Sequence, residues 1–171
     1  MNPLFDDIFH TKIKPVENKF LWSVIIPTRN CANFLKTTIQ SILCQYPGSE
    51  KMEIIVVDDC SDKDNPQEIV DTFGEGKVKF IKQETNVGKS INYGTGLNLS
   101  SGKYIHILHG DDLVLPGFYS EMEYLFSSYP TIGAAFCQTN YINEKGEIKG
   151  KTGIEIPETG ILDDFLNKIV F

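Results

Sequence analysis

The chain lacks any Cys-x-x-Cys pair: its four cysteines, Cys31, Cys44, Cys60 and Cys137, stand far apart among 171 residues. Such spacing is what a reducing compartment permits and a zinc site does not use, so they read as small core residues. Basic residues are also in short supply. Lys and Arg number 16 against 23 Asp and Glu, a net charge of -7, which excludes the basic face that nonspecific nucleic-acid binding needs and disfavours anionic membranes. No apolar run approaches the length of a membrane-spanning helix. The first twenty residues carry Asp6, Asp7 and Glu17 among scattered lysines without the apolar core of a secretory signal. A cytoplasmic location is expected, with peripheral attachment at the inner membrane face through regions outside this chain as the variant. Internal repeats and low-complexity segments are absent. So are a GxxxxGK[ST] loop and a GxGxxG turn after the first strand, which removes support from nucleoside-triphosphate hydrolysis and hydride transfer.

What remains is an ordinary globular composition, 41% apolar and 11% aromatic, patterned as alternating strands and helices. Trp22 to Ile26 is a continuous apolar run ended by Pro27, the signature of a central parallel strand. Cys31, Leu35, Ile39, Ile42 and Leu43 then recur at helical spacing until Tyr46-Pro47-Gly48. Met52 to Val57 is a second buried strand running into Asp58-Asp59. Asn65 is a candidate N-cap, with Pro66 at the first helical position, Glu68 three residues on, and Gly74 as the stop. Val78 to Ile81 reads as a third strand, Gly88 to Leu99 as a glycine-interrupted helix closed by Ser101-Gly102, and Tyr104 to Leu108 as a fourth strand. A helix follows Pro116, with Phe118, Met122, Leu125, Phe126 and Tyr129 on one face up to Pro130. Ile132 to Cys137 is expected as a fifth strand, Asn143 to Gly146 as a hairpin turn, and Ile161, Leu162, Phe165, Leu166 and Ile169 as a last helical pattern. Strand-helix alternation predicts βαβ units: a doubly wound, mainly parallel sheet flanked by helices in three α/β/α layers. The apolar ending Ile169-Val170-Phe171 suggests a chain cut from a longer protein.

Three strand ends carry polar residues: Pro27-Thr28-Arg29-Asn30, Asp58-Asp59 and Asp111-Asp112. In a parallel sheet these ends converge on one edge, where open α/β sheets bind their ligands. Singly, each is explained by turns and helix caps, which favour Asp and Asn. Paired carboxylates twice over are not. Two adjacent carboxylates at 4 Å repel by about 4 kcal/mol at an effective dielectric near 20, so a semi-enclosed pair calls for a cation or a proton. The HxxH formed by His106 and His109 is a rival metal motif. Residues three apart on a strand face opposite ways, however, so the two imidazoles cannot chelate together unless the chain has already turned at His109. His106 reads as a core histidine.

Taken in order, SVIIPTRN, IIVVDDCSD, NVGKS and SGKYIHILHGDDLVLPGFY resemble a family 2 glycosyltransferase of the GT-A fold over Ser23 to Asn140. The resemblance implies one GT-A domain over 1–171, with 20–140 as the nucleotide-sugar-binding half and 141–171 as the start of a truncated acceptor half. It implies a nucleoside-diphosphate sugar donor, usually a uridine one, with Mg2+ or Mn2+ bridging the diphosphate. Pro27, Thr28 and Arg29 would lie along base and ribose, Asn30 would join the nucleotide-sugar-binding set, and Asp59, or its neighbour Asp58, would accept a hydrogen bond from the pyrimidine. Asn86, Gly88 and Lys89 would also belong to the nucleotide-sugar-binding set. Asp111 and Asp112 would match the Asp-x-Asp element with His109 in its first position, Asp112 as metal ligand and Asp111 on ribose or a metal-bound water. Where the family often has an Arg-Asn pair this chain has Tyr93-Gly94, leaving Lys89 as the candidate cation beside the diphosphate. The implied reaction is an inverting, metal-dependent transfer to a saccharide, lipid-linked or protein acceptor, as in cell-wall or polysaccharide synthesis. The general base would lie beyond Phe171; nothing in the spacing of Glu155, Glu158, Asp163 and Asp164 marks one of them. Two other classes remain: a nucleotide-sugar-binding module without transfer, and a receiver-like phosphoacceptor. The latter needs an Asp after the third strand, where Lys82-Gln83-Glu84 stands.

Overall fold

A computed structural model describes residues 18–154 and 158–162, and divides the chain into two compact units, Met1–Pro116 and Gly117–Phe171. The first unit holds four strands, β1 (Phe20–Thr28), β2 (Met52–Asp58), β3 (Val78–Lys82) and β4 (Gly102–Ile107). They form one all-parallel sheet in the order β3-β2-β1-β4. Three helices connect them: α1 (Ala32–Leu43), α2 (Pro66–Phe73) and α3 (Lys89–Leu99). The chain steps outward from β1 to β3 and then crosses back over β1 to lay down β4. Right-handed crossovers therefore put α1 and α2 on one face and α3 on the other, giving the three layers that the alternation predicts. The strand order reverses at β1, between β2 and β4.

The two central strands are apolar on both faces because both faces are covered. Val24, Ile25 and Ile26 of β1 and Ile54, Ile55, Val56 and Val57 of β2 are all at most 1% exposed. Leu35, Ile39 and Ile42 bury one stripe of α1. The other face carries Ile25, Ile55 and Val57 with Ile81 against them. Here α3 approaches so closely that a Cβ on Gly96 would lie 2.3 Å from Ile25 Cγ2. The low amphipathicity of α3 in the sequence follows from this: it docks through a glycine and the buried Asn92. Asn92 donates to the carbonyl of Val57 at 2.9 Å, and Gln83 donates to Asn92 and Thr95.

Ser101-Gly102 ends α3 as expected and does more. Gly102 N donates to Ser23 Oγ at 2.7 Å, and Ser101 N to Glu53 Oε1 at 2.7 Å. Ser23 also donates to Glu53, so one buried hydroxyl ties the start of β4 across β1 to β2. A Cβ at Gly102 would sit 2.4 Å from Ser23 N. Asn65 caps α2 through Glu68 N at 3.5 Å, with Pro66 opening the helix. His106 stays with the sheet, opposite Val24, and burial pushes its imidazole down to about 4.

In the second unit, α4 (Phe118–Ser128) follows Gly117, and β5 (Asn140–Ile142) pairs antiparallel with β6 (Ile148–Lys151). Asn143 builds the expected turn by accepting from Lys145 N and Glu147 N, and Gly146 takes φ +77. The strand expected over 132–137 is not formed. Ile132 N donates to Tyr129 O at 3.1 Å, which continues the turn at Pro130, and the rest of the run joins no ladder among the described residues. An apolar run supplies side chains for a face, but a strand also needs a neighbouring edge for its N–H and C=O groups. The last helical pattern falls mostly on residues outside those described.

Two measurements test this packing. Gly96→Ala is expected to destabilise by roughly 1–3 kcal/mol through overpacking, whereas Gly94→Ala, with nothing within 4 Å of its Cβ, should be neutral or gain up to about 1 kcal/mol of helix propensity; urea titration of both variants separates them. The depressed His106 value makes the folded state bind fewer protons than the unfolded one between pH 6.5 and about 4. Stability should therefore fall as pH drops through that window, and His106→Phe should flatten the profile.

Candidate functional site

β1 ends with both sides of its backbone engaged. Asp59 N donates to Thr28 O at 2.9 Å on one side, and Gly110 N donates to Pro27 O at 3.2 Å on the other. The chain leaving β2 and the chain leaving β4 are thus drawn against the same two residues. Around this junction opens a cleft of about 480 Å3. Its walls are Pro27, Thr28, Arg29 and Cys31 after β1, Asp59 after β2, Asn86, Gly88, Lys89, Asn92 and Tyr93 at the start of α3, and His109, Gly110 and Asp111 after β4. It lies at the carboxyl ends of the strands where their order reverses, the position at which doubly wound sheets bind ligands.

Asp59 organises one wall. Its Oδ1 accepts from Val87 N at 2.7 Å and its Oδ2 from Gly88 N at 3.0 Å, so a single carboxylate satisfies two orphan donors before α3 and fixes where that helix begins. Gly88, at φ +83, gives the chain the left-handed step this entry requires. Asp58, its neighbour, goes the other way: fully buried, it accepts from the backbone and hydroxyl of Ser61 and lies 3.9 Å from Lys82 Nζ, within its own loop and away from the cleft. Asn30 is likewise taken up by that loop. At φ 53, its side chain accepts from Asp62 N and Lys63 N and donates to Asp62, while its backbone N–H donates to the Ser61 hydroxyl oxygen. Arg29 sits 3.9 Å from Asp62 and lines the cleft.

Gly110 is the tight point of the opposite wall. A Cβ there would meet Cys31 Sγ at 2.7 Å and Thr28 Oγ1 at 2.9 Å, while its carbonyl accepts from the Thr38 hydroxyl of α1 at 3.1 Å. Cys31, whose thiol is raised chiefly by burial, contacts Thr28. Beyond Gly110 the chain turns outward, Asp112 N donating to His109 O. Ligand atoms of His109, Asp111 and Asp112 lie within 4.8 Å of one another, a set of one imidazole and two carboxylates on the solvent side of the cleft. His109, rather than the HxxH pair, joins the acidic residues because the turn expected after the strand has already begun at that position. Tyr93 reaches it from α3, with its hydroxyl 2.6 Å from His109 Nε2.

Of the expected site residues, Pro27, Thr28, Arg29, Asp59, Asn86, Gly88, Lys89 and Asp111 line the cleft, Asp112 stands in the rim cluster, and Asn30 and Asp58 serve the β2 loop. Cys31, Asn92, Tyr93 and His109 also line it. Tyr93 was legible in principle, since it falls four residues after Lys89 on the same helical face.

The sequence pattern of glycosyl transferase family 2 matches residues 23–170. The chain belongs to that family. It is 30% identical over 166 residues to an uncharacterized glycosyltransferase of Mycoplasma genitalium, covering 90% of this chain and 55% of that protein. The chain thus spans about half the length of the curated relatives it matches. Among solved structures, Staphylococcus aureus TarS 1–349 in complex with UDP-GlcNAc superposes with a TM-score of 0.59 at 24% identity, over 64% of this chain and 32% of that one. The mannosyltransferase PcManGT of Pyrobaculum calidifontis, in complex with GDP-Man and Mn2+, gives 0.50 at 26% identity, over 54% and 28%. The fold of this family 2 chain is GT-A. No helix among its described residues is long and apolar enough to cross a membrane.

Removing the Asp59 carboxylate tests the construction of the cleft. Asp59→Ala leaves two backbone donors without their partner and is expected to cost roughly 1–3 kcal/mol in urea unfolding, with faster hydrogen exchange at Val87 and Gly88.

Proposed function

We propose that this chain is the donor-binding half, 20–140, of a glycosyltransferase that moves a sugar from a nucleoside-diphosphate sugar, a UDP-sugar, to an acceptor hydroxyl. Residues 141–171 begin the acceptor half. The observation that carries the reading is a cleft that brings the acidic rim after β4 together with a lysine-bearing helix start beyond the end of β1. Pro27, Thr28 and Arg29 take the base and ribose. Asp59 takes the pyrimidine N–H in preference to Asp58: each Asp59 oxygen has given one lone pair to a backbone donor and keeps another, while Asp58 is spent inside its loop. Lys89 lies along the phosphates at the positive end of α3.

Carboxylate oxygens suit Mg2+ or Mn2+, and Asp112 and Asp111 offer them within reach of one another, so these residues fit the divalent ion implied by the family. Such an ion, when bound, neutralises the charge that develops on the departing diphosphate. The remaining work falls to the chain itself: the nucleoside wall fixes the donor's position so that the anomeric carbon is presented for in-line attack. An inverting transfer also requires a base at the acceptor hydroxyl. Glu158 is exposed, and Glu155, Asp163 and Asp164 lie outside the described residues. The second reading is a nucleotide-sugar-binding module of the same fold without transfer. Transfer from a radiolabelled UDP-sugar to water or acceptor distinguishes the two.

Calorimetry with UDP and Mn2+ tests the common ground. Binding is expected, and Asp112→Ala should weaken it about tenfold or more in the presence of the metal. No binding by the unsubstituted chain, or equal binding by the variant, would overturn the assignment.

A further inference from the structure

His109 occupies the first position of the Asp-x-Asp-like element, where a carboxylate would be the simple choice for a cation. Its two ring nitrogens have different neighbours. Nε2 lies 2.6 Å from the Tyr93 hydroxyl, and Nδ1 lies 3.6 Å from Asp112 Oδ2. The two rings are 5.7 Å apart at 39°. A phenol hydroxyl both donates and accepts, so Nε2 is engaged whichever nitrogen carries the ring proton. Nδ1 is then the nitrogen turned toward the acidic residues.

The support behind Tyr93 is rigid. α3 is held on the sheet by the Asn92 bond to Val57 O and by the close approach of Gly96 to Ile25, and its start is fixed by Asp59. Histidine ligands to metals characteristically have their other nitrogen held by a hydrogen-bonding partner that sets the ring's orientation and tautomer. A surface histidine that only pairs with a nearby carboxylate has no need of such a partner on a rigid helix.

We infer that His109 Nδ1 is a third protein donor to the divalent cation, alongside Asp111 and Asp112, and that Tyr93 is the positioning residue that holds the imidazole for it. The inference rests on the donor-binding reading above. Its chemical consequence is metal choice. Imidazole suits transition ions more than Mg2+, so the site should prefer Mn2+ or Co2+ more strongly than an all-carboxylate site would.

The test is pulsed EPR of Mn2+ added to this chain, with and without UDP. Bound Mn2+ should show the modulation of a directly coordinated imidazole nitrogen. His109→Gln should abolish that modulation while Mn2+ remains on the carboxylates with weaker affinity. Tyr93→Phe, which keeps the ring and deletes the hydroxyl, should retain the modulation and lower Mn2+ affinity about tenfold. His109→Asp should shift the preference toward Mg2+. Bound Mn2+ without nitrogen modulation, or modulation unchanged in His109→Gln, would overturn the inference and leave the nucleotide-sugar reading standing. Unchanged Mn2+ affinity in Tyr93→Phe would remove the role given to Tyr93. A chain that binds neither Mn2+ nor UDP would overturn both levels together.

Discussion

The geometry of the cleft depends on the last two residues of β1 being held from both sides at once. Pro27 accepts from Gly110 and Thr28 from Asp59, so the exits of β4 and β2 are fixed relative to one another through a backbone they share. Each exit then positions something further. Asp59 reaches across to cap α3, which brings Lys89 and Tyr93 to the cleft. Gly110 lets β4 close on Thr28 and Cys31 without a side chain in the way, which sends His109, Asp111 and Asp112 outward as a group. The lysine-bearing start of α3 and the rim cluster are therefore placed through bonds to the main chain, and the side chains inherit their places.

Much of this was readable in the sequence because apolar runs ended by Pro, Gly or paired Asp mark buried parallel strands and their ends. β1, β2, β3 and β4 all fall within two residues of the limits that the runs suggest, and Asn65-Pro66 opens α2 as its chemistry dictates. α3 was harder to see because its packing surface is a glycine and an asparagine instead of an apolar stripe. The run at 132–137 misled for the opposite reason: its composition suits a strand, but pairing is decided by a neighbouring edge that composition does not encode. Within the site, Asp58 and Asp59 are indistinguishable in sequence. Strand alternation turns one into the β2 loop and the other toward α3, and the ladder alone settles which. The pairing of Tyr93 with His109 joins a helix to a strand exit, and no spacing rule connects such residues.

The second unit stands differently. Its helix and hairpin are well formed, yet Tyr141 and Ile148 are exposed at 58% and 60%, respectively, and the curated relatives extend to about twice the length of this chain. Recognition of a donor and selection of an acceptor are separable tasks in such an arrangement. On the proposed reading the first falls to the cleft at the end of the parallel sheet.

The closing of the cleft by β4 has a thermodynamic corollary. Its two walls come from parts of the chain far apart in sequence, joined only because the final crossover returns to β1. No partial opening that frees β4 can keep the pocket, so whatever occupies it is linked to the cooperative unfolding of the whole sheet. A ligand held at a hundred times its dissociation constant would add about 2.7 kcal/mol to that equilibrium. The melting temperature of this chain is thus itself a readout of which ligands it accepts, with no turnover required.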